Sequence, residues 1–343
     1  MLNNNDDSKI SPEIQNIMNA LNVHLQWRSK NGPPRSHLVY HPSSYGRCLR
    51  KMQYELYEEM GYIKGEHDKK SNETLRIFDT GHTMHNRWAN YFSDIGVLRG
   101  YWHCRNMMCH MFKEDGSLSL NNIHNAKEFY QKHGSRKYGY DNLIGCHKPK
   151  SCVCGCSDFD YHEISVENSD LNFHGHADQI LDFSNFDVSL YKTGNPVDIL
   201  FNPKDLPKYP VVVDMKTINS RDFDGKIQEK MHFEYKVQLT IYINILKLEK
   251  GVLIYENKDN SRVKIFEVNK NPELWKKIQE QASTMKNMID SKKLPPPRPK
   301  AKSSIECRYC PFKSKCHGED GTKSIWDHPD LSELREKFYG DFE

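Results

Sequence analysis

"VVVDMKT", Val211 to Thr217, decides how the rest of the chain is read. Three consecutive β-branched valines have the stiffness and bulk of a buried strand. The run ends on Asp214 and Lys216, two residues apart, and a strand directs both to one face. A surface ion pair at a strand end is one account of this D-x-K. The other is an acid and a base held together for chemistry, and the surrounding sequence must decide between them.

The 343 residues, 37% of them apolar, suffice for one large core or two smaller ones. No window approaches the run of about 18 apolar residues that a membrane span requires. The opening "MLNNNDDSKI" has neither the basic nor the apolar region of a signal peptide, so the expectation is a cytoplasmic protein without a membrane partner. A net charge of +3 does not announce a nucleic-acid partner, although a local basic groove is compatible with it. Ten cysteines without an export signal point to metal ligation rather than disulfides.

Five regions follow from pattern. Residues 1–35 form a polar extension with one amphipathic helical stretch, "EIQNIMNALNVHL". Residues 36–100 read as two further helices, "SYGRCLRKMQYELYEEMGY" and "ETLRIFDTGHTMHNRWANYFSDIG", the latter with Leu75, Phe78, Trp88 and Phe92 among its apolar positions. Residues 101–160 are cysteine-rich and aperiodic, an inserted subdomain stapled by metal. Residues 161–290 carry a strand "LNFHGHADQILDF", a loose segment containing "TGNPVDILFNPKDLPKYP", and then the valine strand. In "EYKVQLTIYINILKL", Val237, Ile241 and Ile245 make an apolar helical stripe, with Gln238 and Tyr242 one turn apart beside it. A hairpin joins "GVLIYEN" to "RVKIFEV" around "KDNS", and Pro272 opens a long helix to about Asp290. Residues 291–343 begin with the basic, proline-rich "KKLPPPRPKAK" and lead to Cys307, Cys310 and Cys316. There is no internal repeat.

Hydrolysis of a phosphodiester calls for a hard cation held by carboxylates. Asp178, in "GHADQI", and Asp214 supply two from neighbouring strands, and Lys216 would stand beside the attacking water as a point charge. Singly, each residue has a plainer account: a turn-capping aspartate, a surface histidine, a glutamine on a helix surface. The ordered set Asp178, then Asp214-x-Lys216, then Gln238-x-x-x-Tyr242 resembles the PD-(D/E)xK nuclease superfamily, specifically its RecB-like branch. "DTGHTMHNRW" is similar to that branch's upstream helix, where a glycine precedes a metal-binding histidine by four residues, here Gly81 and His85, with His82 a neighbouring competitor.

The resemblance implies an α/β fold: a restriction-endonuclease-like core, with a central mixed sheet flanked by helices, beside a helical N-terminal region and a zinc-ribbon-like insert. It implies Mg²⁺ or Mn²⁺ on His85, Asp178, Asp214 and the backbone carbonyl of Met215. Lys216 would position the water, and Gln238 and Tyr242 would support the lysine and the bound DNA. Asp214 stands where many relatives carry glutamate, which shortens the ligand arm and keeps the chemistry.

Cys307, Cys310 and Cys316 lack a fourth ligand nearby, and Cys48 can provide it if the chain ends meet. "YGRCLRKMQYEL" resembles the segment that donates the distant cysteine in RecB-like nucleases with an iron-sulfur staple, among them CRISPR-associated RecB-like exonucleases and AddB subunits. That implies a [4Fe-4S] cluster on Cys48, Cys307, Cys310 and Cys316; on ligand type alone zinc or free thiols remain open. Between them, Cys104 and Cys109 face Cys152, Cys154 and Cys156 as two knuckles of a Zn²⁺ site. The expected ligands are Cys104, Cys109 and two of the later three, with Cys146, His103, His110 and His147 in reserve; a metal-free loop is the alternative.

The implied activity is a metal-dependent deoxyribonuclease, an exonuclease on single-stranded or processed DNA ends in recombination, repair or replication, with a helicase or recombination partner. Two rivals use the same residues: a subunit that keeps the fold and binds nucleic acid without cutting, and a site-specific endonuclease. Basic clusters in "RCLRK", "HKPK" and "KKLPPPRPKAK" could follow a phosphate backbone, or be ordinary solvated surface.

Overall fold

The computed structural model describes residues 12–32, 34–106, 108–109, 112–113, 115–117, 137–139, 147–187, 203–227, 230–297 and 305–317. Cys146, His110, residues 188–202 of the loose segment, 298–304 of the basic linker and the chain beyond 317 lie outside the described residues.

Four helices come first: α1 (Pro12–Asn31), α2 (Pro42–Tyr45), α3 (Leu49–Glu59) and α4 (Asn72–Asp94). The single helix expected around Cys48 is therefore two, because Cys48 is extended (φ −80°, ψ 105°) and caps α3. Gly46, at the break, faces backbone: a Cβ there would lie 2.5 Å from Cα of Glu234, so only glycine lets this junction approach. Phe78 departs from the expected apolar face. It is 47% exposed, with Lys70 Nζ 5.3 Å from its ring centroid, because the buried face of α4 runs through Leu75, Met84 and Ala89.

The remaining elements are β1 (Leu98–Arg99), β2 (Tyr101–Cys104), β3 (Lys137–Gly139), β4 (Phe159–His162), β5 (Ile164–Asn168), β6 (Phe173–Ala177), β7 (Gln179–Leu181), β8 (Val211–Ile218), α5 (Ser220–Gly225), α6 (Phe233–Ile245), β9 (Lys250–Asn257), β10 (Val263–Asn269), α7 (Pro272–Asp290), α8 (Ile305–Arg308) and α9 (Lys313–His317). A central sheet has the order β1-β7-β8-β9-β10 and is mixed, since only β8 and β9 run parallel. A parallel pair needs a crossover between its strands, which α6 supplies. Buried without a break from Val237 to Ile243, α6 is covered all round rather than along one stripe. Val237 and Ile241 pack with Ile278, Ala282 and Met285 of α7, while Leu239 and Ile243 pack with Val212 and Leu253 of the sheet.

The strand expected over "LNFHGHADQILDF" is divided at Asp178. Before it, β6 pairs with β5 in a two-stranded sheet; after it, β7 joins the central sheet beside β8. A third sheet, β3-β2-β4, carries the cysteine-rich region. The C-terminal cysteine segment seats on α3 through Phe312, fully buried and stacked on Tyr54 at 5.1 Å, and on the chain after α3 through the Glu66 amide donating to the Pro311 carbonyl.

Candidate active site

Alternation along β8 sends Val212, Asp214 and Lys216 toward α6 and Val213 and Met215 to the opposite face. Asp214 is fully buried, and its Oδ1 accepts from Gln238 Nε2 at 2.7 Å. Lys216 Nζ lies 2.7 Å from Oδ2, closing an ion pair. The D-x-K is thus no surface pair. On α6 the Gln238 amide also reaches the Tyr242 hydroxyl at 3.3 Å, and that hydroxyl donates to the His176 carbonyl at 2.7 Å. The helix is thereby tied to both β8 and β6.

At the junction of β6 and β7, Asp178 Oδ2 accepts the Met215 amide hydrogen at 2.9 Å and lies 3.4 Å from Nδ1 of His85. His85 is held in register on both sides. Its carbonyl accepts from Gln179 Nε2 at 3.3 Å, and one turn on Arg87 and Trp88 both donate to the buried carboxylate of Glu256. The competitor His82 is exposed. Nothing stands within 4 Å of where a Gly81 side chain would be, so that glycine leaves open space one turn before His85.

Glu163 was not anticipated from the sequence. The β5–β6 register pairs Ile164 with Ala177, so the next step outward sets Glu163 opposite Asp178. Ligand atoms of His85, Glu163 and Asp178 all fall within 4.8 Å of one another. Asp214 stands beside this group with its carboxylate turned to Gln238 and Lys216. Imidazole plus carboxylates in one cleft is a donor set that suits Mg²⁺ or Mn²⁺.

The electrostatics suit a bound cation. Loss of water contact pushes the Asp214 carboxyl upward, and the neighbouring Asp178 adds to this, while Lys216 opposes it. Glu163 is exposed along its length, yet its carboxylate feels the same crowding and the charges of Asp178 and Asp214, and is pushed the same way. Burial would strip Lys216 of its proton, but Asp214 and Asp178 more than compensate and keep it charged. Its ammonium also lies 5.0 Å above the Tyr235 ring.

Two thiol groups accompany the carboxylates. Cys104, Cys109, Cys152 and Cys154 gather within 4.8 Å, with Sγ–Sγ separations of 3.7 Å for Cys104–Cys154 and 3.8 Å for Cys109–Cys152. Those are the edge lengths of a tetrahedron whose centre lies about 2.3 Å from each sulfur, the Zn–S distance. Cys156 stands outside the group, where its Sγ accepts from the Asp158 amide at 3.4 Å. The two reserve residues among those described are otherwise engaged: His103 stacks on His162 at 3.7 Å, and His147 packs over Gly96. Burial, with Cys152 and Cys154 adding to it, pushes the Cys104 thiol strongly upward. Cys48, Cys307, Cys310 and Cys316 instead line one small cavity with Arg50, Lys51 and Tyr54. Burial and the three other thiols push Cys316 up to about 11.

Residues 158–317 match the sequence profile of the PD-(D/E)XK nuclease superfamily. No curated protein matches the chain. Among solved structures, SSO0001 aligns at 14% identity over 88% of this chain and 97% of its own, with a TM-score of 0.40. An alkaline exonuclease (LHK-Exo) from Laribacter hongkongensis aligns at 10% identity over 38% of this chain, with a TM-score of 0.28. In that case the match spans 57% of the exonuclease's length. From residue 158 to residue 317, which includes Asp178, Asp214, Lys216, Gln238 and Tyr242, the chain carries a domain of the PD-(D/E)XK nuclease superfamily.

Proposed function

We propose that this protein is a metal-dependent deoxyribonuclease, an exonuclease acting on single-stranded or processed DNA ends. The observation that carries this reading is the convergence of His85, Glu163 and Asp178 within 4.8 Å, beside the buried Asp214–Lys216 pair. Mg²⁺ or Mn²⁺ held there would acidify a water and offset the charge that develops on the scissile phosphate. His85 and Asp178 hold it, with Asp214 and the Met215 carbonyl; Glu163 adds a further carboxylate. Lys216, kept protonated, orients the water and steadies the phosphate oxygens. Gln238 fixes the Asp214 carboxylate, and Tyr242 fixes the helix on which Gln238 stands.

In this reading Cys104, Cys109, Cys152 and Cys154 hold Zn²⁺, and Cys48, Cys307, Cys310 and Cys316 hold a [4Fe-4S] cluster. Thiols arranged around a cavity suit a multi-iron cluster, and thiols converging on a point suit a single ion. Both are structural staples, in keeping with a cytoplasmic protein whose thiols stay reduced. Among the described residues no helix is long and apolar enough to cross a membrane. A helicase or recombination partner belongs to the same proposal.

The test is cleavage of end-labelled single-stranded DNA by anaerobically purified protein with Mn²⁺, Mg²⁺ or EDTA, using wild type and Lys216→Ala. Metal-dependent products absent from the variant support the reading, and circular DNA left intact supports the exonuclease mode. Intact wild type that cuts neither linear nor circular DNA would favour a binding subunit.

A further inference from the structure

A cavity of about 360 Å³ opens between the segment leading into α3 and the C-terminal cysteines, lined among others by Arg35, His41, Arg47, Cys48, Lys51 and Tyr309. It is not part of the carboxylate site, and β6 contacts both. The two His41 ring nitrogens face the Ser36 carbonyl at 2.6 Å and the His174 carbonyl at 2.8 Å, which sets the cavity's rim against β6. Two residues along that strand, the His176 carbonyl receives the Tyr242 hydroxyl.

The lining selects a ligand class. Arg35 and Arg47 are exposed residues whose guanidiniums suit phosphate oxygens, with Arg35 Nη2 already donating to Ser43 Oγ at 3.0 Å. Lys51 contributes less, because its Nζ is 3.5 Å from Glu55. Tyr309 is 70% exposed at the mouth, an aromatic face with nothing to recommend it in water and every feature of a stacking platform for a base. The volume is near the lower end of small-ligand pockets, enough for one nucleotide and too small for a duplex.

We propose that this cavity seats the unpaired nucleotide next to the scissile phosphodiester, with its phosphate on Arg35 and Arg47 and its base on Tyr309. The proposal rests on the nuclease reading above and adds to it the path of the strand, from the carboxylates along β6 toward Cys48.

Binding without catalysis tests it. Fluorescence anisotropy with labelled oligothymidylate and with a matched duplex, in EDTA and over a range of salt, is measured on the full chain purified anaerobically. The Arg35→Ala/Arg47→Ala variant is expected to bind the single strand about tenfold or more weakly, with its salt slope reduced by about 1.4, two contacts at about 0.7 each. Tyr309→Ala should lose about tenfold with the slope unchanged, and Tyr309→Phe should bind as wild type. An Arg35→Lys/Arg47→Lys variant should recover the slope, which guards against a simple folding defect. Wild-type affinity and slope in the alanine variants, or equal losses for single strand and duplex, would overturn the proposal. Because EDTA prevents cleavage, these losses support the cavity whether or not wild type cuts with Mn²⁺, so failure of the catalytic reading is seen separately.

Discussion

Asp178 and Met215, 37 positions apart, are joined by a 2.9 Å hydrogen bond from the Met215 amide to Asp178 Oδ2. A carboxylate at the end of one strand is thereby fastened to the backbone of the next, one residue beyond Asp214. Asparagine at 178 keeps an acceptor for that amide and loses the charge. Asp178→Asn should therefore fold and melt as wild type while its affinity for Mn²⁺ falls by at least about 100-fold, more than loss of an outer hydrogen bond produces. Calorimetric titration with Mn²⁺ reads this directly, and an unchanged affinity would remove Asp178 from the ligand set.

Lys216 is the counter-charge that a buried Asp214 needs. Without it, loss of water contact and the neighbouring Asp178 both favour the protonated acid. Lys216→Ala is expected to remain folded, because Asp214 can shed its charge, and to lose about 10³-fold in single-turnover cleavage. Lys216→Arg should not rescue it, since a planar fork cannot replace a point charge 2.7 Å from Asp214. Cleavage by the arginine variant within about tenfold of wild type would count against the lysine's role in orienting water.

The thiol geometry separates two adjacent cysteines. Cys154 Sγ is 3.7 Å from Cys104 Sγ, whereas Cys156 Sγ is occupied with Asp158. Elemental analysis should find zinc in wild type and in Cys156→Ser, and a loss of that zinc in Cys154→Ser. Zinc kept by Cys154→Ser and lost by Cys156→Ser would move the ligand assignment to Cys156.

Cys48 and Cys307 lie far apart in sequence and line the same cavity, so a cluster there closes a loop over most of the chain. Cys48→Ser should bleach the visible absorbance of anaerobic protein and lower the melting temperature by at least about 5 °C. A variant that keeps both colour and stability would exclude Cys48 as a ligand.

What the sequence reveals is local. Three valines announce β8, "KDNS" announces the β9–β10 hairpin, and Pro272 opens a helix that closes at Asp290. Spacing sets Asp214 and Lys216 on one strand face and Gln238 and Tyr242 one helical turn apart, and only the resemblance to the PD-(D/E)xK nucleases joins the two pairs. Glu163 did not stand out, because its place follows from the β5–β6 register, and register depends on a turn that "ENSDLNF" does not advertise. Cys156 shows the same limit: its spacing is as good as that of Cys154, and only the fold of the knuckle turns it away. Arg87, Gln179 and Glu256, which hold α4 against the sheet, are polar residues whose burial no periodicity signals.

Arg99 and Asp182 form a buried pair where β1 meets β7, with Arg99 Nη2 2.6 Å from Asp182 Oδ2. Burial alone would raise the Asp182 carboxyl, but the Ser184 amide and the Arg99 guanidinium outweigh it and hold the group below its ordinary value. A carboxyl with a depressed folded pKa adds stability above its unfolded value of about 3.9, and that stability is lost as pH falls through the folded value. Asp182→Asn should thus cost about 3 kcal/mol at pH 7, because it removes the charge that faces the nearly buried Arg99 guanidinium. Below about pH 4 the gap between variant and wild type should narrow, since the wild-type carboxylate is being protonated as well. Urea unfolding of both proteins from pH 7 down to about pH 3 measures that gap. A difference that stays constant across the window would mean that Asp182 acts through packing rather than through its charge.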